Sequence, residues 1–142
     1  MQTVVTWKEG MSFSAALDGF ELALDADPAS GGQGLGPKPK GLTLVSLGGC
    51  TGMDVISILS KMRQPVRAFS VEVDGQVADD HPKRFTAITL RYRVDGEGLD
   101  PERVRRAVAL SETTYCGVSA SLRPGVPIAT EIWVNGEKLA GS

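Results

Sequence analysis

Apolar residues crowd the stretch from Pro39 to Arg63, PKGLTLVSLGGCTGMDVISILSKMR, which predicts the central element of the fold. A helix over this span, at about 1.5 Å per residue, is long enough to cross a small domain. Leu42, Leu44, Val45, Leu47, Met53, Val55, Ile56, Ile58, Leu59 and Met62 fall nearly all round it, the pattern of a helix buried on every side. Asp54, several hydroxyls and the glycines at 48, 49 and 52 argue against a membrane span of about 20 residues.

Ahead of this helix, residues 2–7, 12–17 and 20–25 read as three short strands. Asp18-Gly19 between the last two is a two-residue hairpin signal. Residues 27–40, DPASGGQGLGPKPK, read as a mobile loop, with Pro37 and Pro39 limiting where the helix begins. Beyond the helix, residues 66–78 and 84–95 alternate as a long antiparallel hairpin, with Phe69, Val71 and Val73 set against Ser70, Glu72 and Asp74. Asp100-Pro101-Glu102 opens a second helix running to about Glu112, with Asp100 as its N-cap. Residues 126–134 form a closing strand, and Asn135-Gly136 turns the tail away. The order β-β-β-α-β-β-α-β predicts an α+β fold of antiparallel sheet packed on helices, one domain over residues 1–142.

Composition narrows the function. A chain of 142 residues supports one domain with a real core, and 42% hydrophobic with 23% charged residues is ordinary for a globular protein. A net charge of −2 gives no electrostatic reason to expect nucleic acid or an anionic membrane as partner. Nothing in the first residues reads as a signal peptide, so a cytoplasmic setting is expected, where structural disulfides are unusual. His81 is the single histidine and no CxxC spacing exists, so no metal site is expected. The glycine-rich loop lacks the spacing of a phosphate-binding loop.

The chemistry then falls on the two cysteines, Cys50 and Cys116. If the helix restarts at Cys50, the thiol sits over free N–H groups at the positive end of a dipole, which favours thiolate. If the helix is continuous, the neighbouring glycines serve close packing instead. Asp54, one turn on, opposes ionisation. A reactive thiol and an inert buried one both remain open on residue types.

Three segments taken together resemble the OsmC/Ohr family of thiol-dependent hydroperoxide reductases. They are GPKPKGLTLVSLGGCTGMDVISIL from Gly36, HPKRFTAITLRY from His81 and SETTYCGVSASL from Ser111. The resemblance covers essentially the whole chain in the same element order. It implies an intertwined homodimer, with antiparallel sheets wrapped around long central helices and the sites at the subunit interface. It also implies Cys50 as peroxidatic thiolate, Cys116 as its resolving partner in a Cys50–Cys116 disulfide, a dithiol reductant and no cofactor. Organic hydroperoxides would bind against Leu47, Met53 and aromatic residues. The family's activating pair is not matched: Gly41 stands at the glutamate position, and no arginine precedes Arg63. Two readings follow. One is an organic hydroperoxide reductase with altered thiol activation. The other is an OsmC-like protein with little or no peroxidase activity that binds a small apolar ligand at the dimer interface.

Overall fold

The computed structural model describes residues 1–142. Its internal contacts divide the chain into two units, Met1–Thr43 and Leu44–Ser142.

The first unit holds a three-stranded antiparallel sheet, β1 (Val4–Glu9), β2 (Ser12–Leu17) and β3 (Phe20–Leu24), in that order. Asp18 and Gly19 both take positive φ, 51° and 83°, which matches the hairpin expected there. The first strand starts later than its alternation suggests and runs to Glu9, where Gly10 at φ 52° makes the turn into β2. The glycine-rich segment is more ordered than expected. Buried Asp25 accepts hydrogen bonds from the backbone N–H groups of Ala26, Gln33 and Leu35 at 2.7, 3.0 and 3.1 Å. These bonds, Leu35's foremost, hold its carboxyl below the usual aspartate range. Asp27 caps a short 3-10 turn at Pro28–Ser30 and pairs with Lys38 at 3.0 Å.

The long helix α1 (Pro39–Lys61) is unbroken through Cys50. It is long and apolar enough, by length and composition alone, to cross a membrane. Only one stripe of it is fully buried, Leu47, Thr51, Val55 and Leu59, which repeats every four residues. Within a single chain the helix is therefore buried on one side. The second unit's sheet covers one face of the helix, and Val45 and Met53 on another stay 67% and 74% exposed.

That sheet runs in the order β4 (Ala68–Val77), β5 (Phe85–Asp95), β6 (Ile128–Val134), β7 (Glu137–Lys138). β4 and β5 pair antiparallel over their whole length, with Arg93 bridging to Glu72 across the pair and stacking over Trp133. β5 and β6 pair parallel, which departs from the all-antiparallel expectation. The physical reason is the connection: a crossover returns the chain to the same end of the sheet, as parallel pairing requires. It is built from α2 (Pro101–Leu110), a π-helical turn over Ser111–Tyr115, and α3 (Gly117–Leu122). Asp100 caps α2 through the Glu102 N–H at 2.9 Å, as its sequence predicts. The short α3 carries too little periodicity to be legible in advance. At the end, Asn135 and Gly136 (φ 49° and 82°) turn β6 back into β7.

Candidate functional site

α1 brings Cys50 to the crossover that carries Cys116. Cys50 is half-buried and Cys116 buried, and no disulfide joins them. The two sulfurs and a carboxylate oxygen of Asp54 all lie within 4.8 Å of one another. Asp54 follows Cys50 by one helical turn, so the helix places both side chains on one side of α1. Cys116 stands at the end of the π turn, at the N-cap of α3, where its sulfur accepts the Ser119 N–H at 3.3 Å.

The continuous helix decides between the two environments open for Cys50: its thiol lies mid-helix, away from the N-terminus of α1. Gly48 shows what the glycines do, since a Cβ there would meet Val73 Cγ2 at 2.8 Å. Its bare backbone lets β4 cross the helix one half-turn before the thiol.

Burial pushes the Cys116 thiol up to about 11, the Ser119 N–H works against that, and contact with Cys50 and the nearby Asp54 carboxylate adds to the rise. Cys116 is therefore a protonated thiol at neutral pH. Behind the sulfurs runs a buried polar chain. Ser111 Oγ donates to Asp54 Oδ2 at 3.0 Å and lies 2.8 Å from Thr51 Oγ1, which lies 2.6 Å from Tyr92 Oη. Burial raises the Tyr92 phenol above its ordinary value, so it stays neutral. On the far side of Cys116, Arg123 donates to Ser119 Oγ at 3.1 Å and pairs with Glu112 at 3.5 Å.

A model described as OsmC-like protein matches residues 31–131. The chain belongs to the OsmC family. Protein YhfA of Escherichia coli is 36% identical over 129 residues, 90% of this chain and 93% of YhfA. Among solved structures, a hypothetical protein from Aquifex aeolicus is 27% identical with a TM-score of 0.80, over 94% of this chain and 96% of that one. An organic hydroperoxide resistance protein OsmC from Legionella pneumophila shares the fold at 18% identity and a TM-score of 0.68, over 94% of this chain and 98% of that one. The α+β architecture read from sequence is thus that of the OsmC fold.

The two residues expected to hold substrate lie apart from each other in environment. Leu47 is fully buried in the core, and Met53 is 74% exposed beside Gly49 and Ile56. A cleft of about 350 Å³ opens instead along the next turns of α1, lined by Asp54, Ile58, Met62, Leu110 and Tyr115. Sequence reasoning did not single out Ser111 or Tyr92. The one signal for Tyr92 was its place in the apolar phase of the β5 alternation, which marks it as inward-facing.

Proposed function

We propose that this OsmC-family protein is a thiol peroxidase that reduces organic hydroperoxides. The observation that carries this reading is the approach of the Cys50 and Cys116 sulfurs within 4.8 Å, with Cys50 the more accessible of the two. Cys50 sulfur attacks the outer oxygen of ROOH, the O–O bond breaks, and ROH leaves with the thiol proton. The resulting sulfenic acid is attacked by Cys116, which gives a Cys50–Cys116 disulfide and water, and a dithiol then reduces the pair. The cleft beside Asp54, with Ile58, Met62, Leu110 and Tyr115 on its walls, suits an organic rather than an inorganic peroxide. The same cleft supports the second reading, capture of a small apolar ligand without turnover.

The reading includes a homodimer. Val45, Met53 and Ile56 line an open apolar stripe of α1, and the first unit leaves Val4, Val5, Trp7 and Phe20 exposed at 57, 52, 62 and 79%. A second copy covering such surfaces accounts for apolar area that a monomer of this size rarely leaves in water. The reaction takes place in the cytoplasm and needs no bound metal.

Intact mass of the reduced protein after cumene hydroperoxide or hydrogen peroxide tests the activity. A loss of about two mass units, absent from Cys50→Ser and Cys116→Ser variants and faster with the organic peroxide, is the expected result. An unchanged mass at excess peroxide leaves ligand binding as the function.

A further inference from the structure

Disulfide closure by Cys116 needs its proton removed, because burial keeps that thiol neutral. Asp54 is the carboxylate at hand. Its oxygen stands within 4.8 Å of both sulfurs, a distance that one bridging water spans. It is also held in place: buried Ser111 donates to Oδ2 at 3.0 Å and is itself fixed by Thr51, which is fixed by Tyr92. This chain of hydroxyls ends on the Asp54 carboxylate. A buried polar chain is costly unless satisfied, and here it spends its hydrogen bonds on orienting one side chain.

Resting on the peroxidase reading, we propose that Asp54 is the general base of the disulfide-closing step and Ser111 the residue that positions it. As Cys116 sulfur attacks the Cys50 sulfenic sulfur, the S–S bond forms and the S–O bond breaks. The Cys116 proton passes to the Asp54 carboxylate and from there to the departing hydroxide, which leaves as water. Sulfenic acid and thiol become disulfide and water, and the carboxylate is restored. The transfer runs in concert with bond formation, since the thiol becomes more acidic as its sulfur gives up electron density. The static influence of Asp54 points the other way, because a carboxylate beside Cys116 opposes the thiolate. Removing the charge therefore separates the two roles by sign.

The test uses the full-length reduced protein and the colour reagent 5,5′-dithiobis(2-nitrobenzoate). The reagent first caps the more accessible Cys50, and attack by Cys116 on that mixed disulfide then releases a second thionitrobenzoate. This step reports Cys116 chemistry whether or not the protein reduces peroxides, so failure here and failure of the peroxide mass assay are told apart. Asp54→Asn is expected to slow the second release about 100-fold at neutral pH, the usual scale of general-base assistance. Asp54→Glu restores part of the rate, and Ser111→Ala gives a smaller slowing of the same kind. The Asp54→Asn deficit shrinks as pH rises toward about 11, where Cys116 ionises without help. The titratable and charged groups around Cys116 are Cys50 and Asp54 beside its sulfur, Tyr92 behind Thr51, and the Glu112–Arg123 pair behind Ser119. A second release in Asp54→Asn as fast as in the wild type, or faster, overturns the proposal, because the carboxylate then only holds the thiol neutral. A deficit that does not change with pH also overturns it, marking a structural effect.

Discussion

Thr51 Oγ1 and Tyr92 Oη lie 2.6 Å apart with both residues fully buried, joining the middle of α1 to the middle of β5 by a hydrogen bond that water does not reach. Two substitutions at this contact should differ in a set direction. Tyr92→Phe leaves Thr51 with Ser111 as its partner and costs about 1 kcal/mol. Thr51→Val strands the Tyr92 hydroxyl in the core and costs more, about 2–3 kcal/mol. Urea unfolding of the reduced protein checks the order, and equal losses would mean that the phenol finds another partner.

The crossing of β4 over α1 makes Gly48 intolerant of a side chain. Gly48→Ala places a Cβ 2.8 Å from Val73 Cγ2, and the overpacking is expected to cost about 1–3 kcal/mol despite alanine's better helix propensity. Val73→Ala in the same chain should recover part of that loss by making room. Thermal melts of the single and double variants decide it, and simple additivity would count against direct contact.

Alkali should weaken the reduced protein through Cys116. Its thiol is raised in the folded state from 9.0 to about 11, so the folded chain keeps a proton that the unfolded chain gives up. Stability is full below about pH 9 and falls as pH rises toward 11. Cys116→Ser removes that part of the slope, which denaturant midpoints across this range measure. Tyr92, also raised, leaves a residual decline at the alkaline end.

The homodimer is expected to depend on the open stripe of α1. Met53→Glu combined with Ile56→Glu puts charge on two residues that are 74% and 39% exposed in the single chain. Folding of that chain is little affected, while sedimentation velocity should shift from dimer to monomer. A wild-type protein that sediments as a monomer at micromolar concentration would sink the pairing.

Most elements were legible because their signals are local. The alternation of Phe69, Val71 and Val73, the Asp100-Pro101 cap and the Asp18-Gly19 and Asn135-Gly136 turns each specify structure within a few residues. Two things were not local. The parallel partner of β5 lies 40 residues away at the Arg91–Glu131 contact, and nothing in either strand's alternation encodes its direction. The one-sided burial of α1 within a single chain was not legible because an all-round apolar helix reads the same whether its second face meets its own sheet or another chain. At the site, the pattern pointed to both cysteines, yet their approach and the Ser111–Thr51–Tyr92 chain behind Asp54 depend on tertiary packing.

The parallel pairing of β5 with β6 also bears on how the sulfur pair comes into being. Cys116 rides on the crossover between those strands, far along the chain from Cys50 on α1. Closing such a long loop carries an entropic penalty before any contact rewards it, which places this event late in folding. A chain whose crossover has not yet docked therefore carries its two thiols apart. The closeness of Cys50 and Cys116 is in that sense a mark of a finished molecule.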